Sequence, residues 1–109
     1  MKRNSFSIFF FIKKTKLLNN GEAPIRLRIK VNGEFVESQI KRSVPPNLWE
    51  QSIESSKGRD RKSTELNEYI RMLKLKALTI HRELELSGKL FTARLIMNRL
   101  YNAEDEYTI

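Results

Sequence analysis

The chain has 109 residues, 39% of them hydrophobic and none of them cysteine, which allows one small domain and excludes disulfides and thiolate metal sites. Its net charge is +8, and the whole excess lies in residues 1–62, which hold fourteen Lys or Arg and six acids, while residues 63–109 hold seven of each. A basic part beside a neutral part favours a polyanionic partner, with a basic solubilising surface as the open alternative.

Residues 5–13 are aromatic and β-branched and predict a first strand. The apolar run within it is too short for a signal peptide or a membrane span, so we expect no membrane partner. Its two faces are both apolar: one carries Phe6, Ile8, Phe10 and Ile12, and the other carries Phe9 and Phe11. The pattern therefore leaves open which face is buried.

Residues 24–31 alternate strictly between apolar and basic side chains, which predicts a strand with one buried face. Asn32-Gly33 follows, the strongest short-range signal for a two-residue β-hairpin, and residues 34–42 form the returning strand. This loop length pairs Arg28 with Glu37 and defines both faces of the hairpin. The core face is Ile25, Leu27, Ile29, Val31, Val36, Ser38 and Ile40. The polar face is Arg26, Arg28, Lys30, Phe35, Glu37, Gln39 and Lys41.

Pro45 and Pro46 end the sheet, because proline cannot donate to a strand ladder. Trp49 is expected to support the core or the sheet edge. Residues 51–63 are polar and basic and are interpreted as a mobile loop whose Arg59, Arg61 and Lys62 contact phosphates.

A long helix is predicted over residues 64–87, capped by Ser63 or Thr64 and ended by Gly88. Its apolar stripe is Leu66, Ile70, Leu73, Ala77, Ile80 and Leu84. Packing on the sheet is favoured over a coiled-coil dimer, because the stripe spans barely three heptads. A short helix over 93–102 follows, with Thr92 as its N-cap and Phe91 and Ile96 as a hydrophobic staple. The predicted class is α+β: a three-stranded antiparallel sheet, in the order 1-2-3, packed against one long C-terminal helix and followed by a short second helix.

Catalytic chemistry has little support in the residues. The single histidine, His81, lies beside the helical stripe, where a flanking surface role is expected. No nucleophile triad, phosphate-binding loop or metal-ligand spacing is present. We therefore expect no catalytic residue, metal, cofactor or small-molecule substrate.

The polar face of the hairpin is the strongest functional signal. Arg26, Arg28 and Lys30 lie about 7 Å apart on one strand, with Gln39 and Lys41 beside them. A two-stranded ribbon fits the major groove, and these side-chain types read guanine and adenine edges. Lys13, Lys14 and Lys16 are placed to contact phosphates. The alternative is an ordinary solvent-facing strand in which Arg28 and Glu37 form a cross-strand ion pair.

Several motifs resemble a known family. They are Phe10-Phe11-Ile12-Lys13-Lys14, the run from Asn20-Gly21-Glu22-Ala23-Pro24 to Ile29, Val31-Asn32-Gly33, and Val44-Pro45-Pro46-Asn47-Leu48-Trp49. Together they resemble the N-terminal arm-type DNA-binding domain of tyrosine recombinases, above all the integrases of Bacteroides-type conjugative transposons and related mobile elements. The resemblance covers about residues 5–90. It implies a three-stranded sheet that enters the major groove at arm sites near the element's ends.

The resemblance also implies an organisation. Residues 1–90 are expected to form the arm-type domain, and residues 91–109 a linker helix toward a core-binding domain. The recombinase catalytic set is missing from this sequence, so the fragment is expected to bind DNA without catalysis. Duplex DNA and the rest of the recombinase are the expected partners of a monomeric domain in the bacterial cytoplasm, at the nucleoid.

In this interpretation the DNA-contacting residues divide into two roles. Arg26, Arg28, Lys30, Gln39 and Lys41 reach the groove, and Lys13, Lys14, Lys16 and Arg42 contact phosphates. One alternative function is a protein–protein interaction module with a basic surface, using Phe35 and the hairpin edge. Single-stranded RNA binding is a third, favoured only if Phe9 and Phe11 are exposed for base stacking.

Overall fold

The computed structural model describes residues 5–107, and of residues 102–107 the backbone alone. Its elements are β1 (Phe6–Ile12), β2 (Ala23–Val31), β3 (Glu34–Val44), a 3₁₀ turn (Pro46–Leu48), β4 (Trp49–Glu50), β5 (Ser55–Ser56), α1 (Arg61–Ser87) and α2 (Ala93–Tyr107). The long strands form one antiparallel sheet in the order β1-β2-β3, and β4 pairs with β5. The α+β class and the strand order are confirmed.

The β2–β3 hairpin has the predicted turn. Asn32 and Gly33 both have positive φ, 52° and 88°, as a type I′ turn requires. Along β2 the four apolar side chains from Ile25 to Val31 are buried and alternate with the cationic ones. On β3, Ile40 and Val44 are buried, while Val36 and Ser38 are half-buried, so the predicted core face is less complete near the turn.

The segment predicted as a mobile loop, residues 51–63, is ordered, and that prediction is wrong. Trp49 pairs with Ser56 and Glu50 with Ser55, which closes a tight hairpin. Its side chains reach β1: Glu54 Oε1 accepts the backbone N–H of Phe10 at 2.7 Å, and Gln51 Nε2 donates to the Phe10 carbonyl at 2.8 Å. These bonds join residues more than forty positions apart, so no local pattern contains them.

The helix begins earlier than predicted, at Arg61, and its cap is Asp60. Asp60 Oδ1 accepts the backbone N–H of Ser63 at 3.3 Å, and the Asp60 carbonyl accepts that of Thr64 at 3.1 Å. Ser63, one of the two predicted caps, is instead buried and its hydroxyl pairs with that of Ser56. The first turn was missed because Arg61-Lys62-Ser63 adds no apolar periodicity.

The chain divides into two compact units that share the long elements. Unit 2 consists of Phe9–Arg28 and Glu37–Arg71. Within it, Phe10, Ile25, Leu27 and Ile40 are essentially inaccessible, and Leu66 and Ile70 of α1 are also buried. The side chain of Asn67 on α1 bonds both the N–H and the carbonyl of Ser56, which attaches the helix to β5.

Of the described residues, unit 1 contains the hairpin tip, Ile29–Val36, together with residues 5–8 and 72–107. Here Leu73, Ala77 and Leu84 of α1 are buried as predicted, whereas Ile80 is only half-buried. His81 is half-buried, not a surface residue, and its ring stacks on Phe6 with centroids 4.1 Å apart.

In unit 1 the predicted end of α1 and the predicted start of α2 agree with the structure, and the predicted end of α2 does not. α1 ends at Ser87, and Gly88 follows with φ of 72°. Thr92 Oγ1 accepts the N–H of Leu95 at 3.1 Å, which confirms the N-cap of α2. Phe91 and Ile96 are both buried, and α2 continues to Tyr107, five residues beyond the predicted end.

Candidate nucleic-acid interface

The polar face of the sheet in unit 2 is built from cross-strand rows. Lys13 N–H donates to the Pro24 carbonyl at 3.1 Å, and this β1–β2 register places Phe9 opposite Arg28 and Phe11 opposite Arg26. The two-residue turn places Arg28 opposite Glu37 in turn. Because paired residues share a face, β1 contributes Phe9 and Phe11 to the basic surface and directs Ile8 and Phe10 into the core.

Glu37 lies at the centre of this face. Its Oε2 accepts from Nε of Arg28 at 2.7 Å and also from Nη2 of the same guanidinium. Its Oε1 lies 3.7 Å from Nε of Arg26. The Glu37 side chain is 18% exposed, against 25% for Arg26 and 34% for Arg28, so the carboxylate is the least accessible of the three. The cross-strand pair proposed from the sequence as an alternative is therefore present.

The rings of Phe9 and Phe11 both lie close to the guanidinium of Arg28. The Arg28 carbon Cζ lies 5.4 Å from the Phe9 ring centre and 5.6 Å from that of Phe11. Lys13 Nζ lies 5.9 Å from the Phe11 ring centre. These distances are in the range of cation–π attraction, so Phe9 and Phe11 both attract Arg28, and Phe11 also attracts Lys13.

The local charges act on Glu37. The hydrogen bond from Arg28, followed by the charges of Arg28, Lys13 and Arg26, holds the pKa of Glu37 below its ordinary value of 4.5, although partial burial works the other way. The carboxylate is consequently ionised at neutral pH. Three cations and one anion thus share this part of the surface.

The remaining predicted contacts lie at different places. Lys14 and Lys16 are exposed in the turn after β1, which the bond from Lys16 N–H to the Lys13 carbonyl closes at 3.2 Å. Gln39 and Lys41 are exposed on β3, and Lys41 has a left-handed backbone with φ of 59°. Lys30 is exposed on the part of β2 that belongs to unit 1.

Arg42 is not beside Arg26 and Arg28. Its guanidinium carbon lies 4.1 Å from the ring centre of Tyr69 on α1, and its Nη1 donates to the Lys41 carbonyl at 3.1 Å. An open cavity of about 300 Å³ adjoins it. The cavity is lined by Lys41, Arg42, Ser43, Lys62, Glu65, Leu66 and Tyr69. Arg42 therefore lies in a second basic region, between β3 and the first turns of α1.

A carboxylate also stabilises this second region. Glu22 accepts from the Ser43 hydroxyl at 2.5 Å and from Lys62 Nζ at 3.1 Å. The Ser43 hydrogen bond, and then the hydrogen bond and charge of Lys62, lower the pKa of Glu22 from its ordinary value of 4.5. Lys62 was expected in a mobile loop; it lies in the first turn of α1, paired with Glu22.

The lowered pKa values predict acid destabilisation. When the folded-state pKa lies below the unfolded one, the carboxylate contributes stability above the unfolded value and loses it as pH falls through the folded value. We expect the melting temperature to fall as pH decreases below 4.5, the ordinary value for Glu22 and Glu37. Thermal unfolding followed by circular dichroism from about pH 6 to about pH 3 measures this.

The Glu22→Gln variant isolates one contribution to this pH dependence. It should melt below the native protein at about pH 6, and the difference should shrink as both are acidified, since protonated glutamic acid and glutamine are both neutral. Glu34→Gln, which removes an exposed carboxylate from the hairpin tip, serves as the control. A Glu22→Gln difference that stays constant with pH would contradict this assignment.

Sequence reasoning missed two groups in these regions. It left Phe9 and Phe11 unassigned, and it did not place Tyr69 against Arg42. The register of β1 would have identified the phenylalanines, but no tight turn links β1 to β2. Within residues 5–107, no cluster of His, Cys, Asp or Glu could hold a metal ion, and no helix has the length and apolarity to cross a membrane.

Comparison with known protein families identifies the kind of domain that this chain contains. A family model described as an arm DNA-binding domain matches residues 10–97. The match includes β2, β3 and α1 whole, and with them every cationic residue of the two basic regions. No curated protein and no solved structure matches the chain significantly.

Proposed function

Because the chain belongs to the family of arm DNA-binding domains, we propose that it binds duplex DNA through the sheet face that carries Arg26 and Arg28. We also propose that it prefers particular base sequences. The family is a non-catalytic DNA-binding module, so DNA is its partner. The finer proposal is that the sheet enters the major groove. It rests on one observation above all: two arginines held side by side on one face of a β-ribbon.

The proposed roles follow from the two regions. Arg26, Arg28, Gln39 and Lys41, with Lys30 further along β2, would read base edges in the groove. Lys13, Lys14 and Lys16 lie in and beside an exposed turn and would contact the phosphates on one side. Arg42, held on Tyr69, would contact phosphate from the second region.

We also propose a biological setting. The domain would position a site-specific tyrosine recombinase on arm sites of a mobile element, at the bacterial nucleoid. Residues 91–109 would lead from the arm domain, proposed to span residues 1–90, toward a core-binding domain. α2 also belongs to the folded structure of unit 1, since Ala93, Ile96 and Leu100 are buried there.

Arg28→Ala tests the groove assignment. An arginine that reads a base should cost about 1–3 kcal/mol on the preferred sequence when it is removed, with a relaxed preference at one position. The measurement is fluorescence anisotropy on duplexes chosen by selection from a random pool. Arg94→Ala on α2, the loss of another arginine, is the matched control. An equal loss on all duplexes would make Arg28 a phosphate contact and reject its groove role.

The alternatives make different predictions in the same assay. A single-strand binder needs open aromatic faces, yet Phe9 and Phe11 are half-buried and lie against Arg28. A protein–protein module would use Phe35, which is 54% exposed at the hairpin tip. Duplex binding stronger than single-strand binding, with a monomeric elution volume in size-exclusion chromatography, supports the proposed function over both.

A further inference from the structure

We infer that Glu37 acts as a built-in competitor of phosphate, which makes Arg26 and Arg28 read base edges in preference to the DNA backbone. The inference rests on the proposed function and assigns a specificity-determining role within that site. It starts from a contradiction: on a face offered to a polyanion, Arg26 and Arg28 are paired with an anion that is less accessible than either of them.

The geometry gives Glu37 control of Arg28. The carboxylate accepts hydrogen bonds from both Nε and Nη2 of the guanidinium, whose carbon also lies 5.4 Å from the Phe9 ring centre and 5.6 Å from that of Phe11. A DNA phosphate that binds those same atoms must displace a carboxylate that is hydrogen-bonded to them and only 18% exposed. The internal pair therefore takes the place that a phosphate would occupy.

Glu37 does not repel base edges as it repels a phosphate. A phosphate carries a full negative charge and is repelled by Glu37 at short range, and like charges brought together across an interface strongly disfavour a complex. Base edges are neutral, and the exocyclic amino groups of cytosine and adenine donate hydrogen bonds that a carboxylate accepts. Glu37 thus opposes backbone binding at this point and tolerates, or favours, groove contacts.

The ion pair with Arg28 contributes only modestly to the stability of the fold, because partly exposed ion pairs are screened by solvent and restrict two long side chains. The core of unit 2 lies on the opposite face of the sheet, at Ile25, Leu27 and Ile40. A role in selectivity accounts for an acid centred among Arg26, Arg28 and Lys13.

Three variants test this inference. Glu37→Gln keeps the shape and removes the charge, and Glu37→Asp keeps the charge. Glu34→Gln removes an equal charge from the exposed start of β3 and so controls for net charge. The probes are a random-sequence duplex pool and the best duplex selected from it by the native protein, both measured by fluorescence anisotropy.

Glu37→Gln should bind the random pool about tenfold more tightly than Glu34→Gln does, and its ratio of selected to random affinity should fall. Glu37→Asp should stay close to the native protein in both measurements. A loss of the folded binding surface would weaken binding to the selected duplex, and circular dichroism shows whether each variant keeps the native fold.

Three outcomes would overturn the inference: a random-pool affinity of Glu37→Gln no higher than that of Glu34→Gln, an unchanged affinity ratio, or a gain for Glu37→Asp as large as that for Glu37→Gln. Failure of the proposed function looks different. In that case the native protein itself binds no duplex, or binds all duplexes without preference.

Discussion

Raising the salt concentration from about 50 to about 200 mM is expected to weaken duplex binding by roughly 250- to 1000-fold. With roughly five phosphates neutralised, the slope of log affinity against log salt should be near −4 to −5, because each neutralised phosphate releases condensed counterions. The residues proposed for this term are Lys13, Lys14, Lys16 and Arg42, with a further contribution from the groove-facing cations. Anisotropy titrations at four or five salt concentrations measure the slope directly.

The two lysines of the exposed turn give this prediction its internal control. Lys14→Gln with Lys16→Gln should make the slope shallower by about 2. Lys89→Gln with Arg94→Gln removes the same charge from the part of the sequence whose charges balance, and should leave the slope near the native value. A native slope near zero would reject electrostatic DNA binding, and equal slopes for the two double variants would reject the turn as a phosphate contact.

Replacing Phe10 by alanine is expected to destabilise the fold by about 3–5 kcal/mol. Phe10 has no exposed surface, and its backbone N–H and carbonyl are the groups bonded by Glu54 and Gln51. Removing the ring leaves a cavity in unit 2 beside a strand edge that the β4–β5 hairpin covers. Urea denaturation, followed by tryptophan fluorescence of the buried Trp49, measures the loss.

Phe35→Ala is the matched control for the Phe10 variant. The same residue type is 54% exposed at the hairpin tip, so its removal should change the free energy of unfolding by less than about 0.5 kcal/mol. Comparable losses for the two variants would contradict the orientation of β1, since that orientation is what buries Phe10. The comparison therefore tests which face of β1 is in the core.

The parts of this fold that the sequence predicted correctly depend on short-range chemistry. Asn32-Gly33 accepts the two positive φ angles of a type I′ turn, and strict alternation along β2 specifies which side chains are buried. These two signals sufficed to place Arg28 beside Glu37, nine residues away. Three further features were predicted from residues close together in the sequence: the apolar stripe of α1, the glycine after it and the Thr92 cap.

What the sequence left open or predicted wrongly depends on distant partners. The loop over 51–63 has too little apolar content to indicate structure, yet its hairpin is attached to Phe10 and to Asn67 by side-chain hydrogen bonds. The position of Arg42 likewise depends on Tyr69, more than twenty residues along the chain. Such contacts become visible only when the backbone has brought the partners together.

Composition and local pattern by themselves determined a basic hairpin face, its register and a helix with one apolar stripe, because charge, alternation and turn chemistry act within a few residues. Only the tertiary structure decided the facing of β1. Both of its faces are apolar, so burial gave no contrast, and pairing with β2 directed Phe10 inward and Phe9 and Phe11 to the basic face. The same pairing made those rings the support for Arg28 and completed the surface proposed to meet DNA.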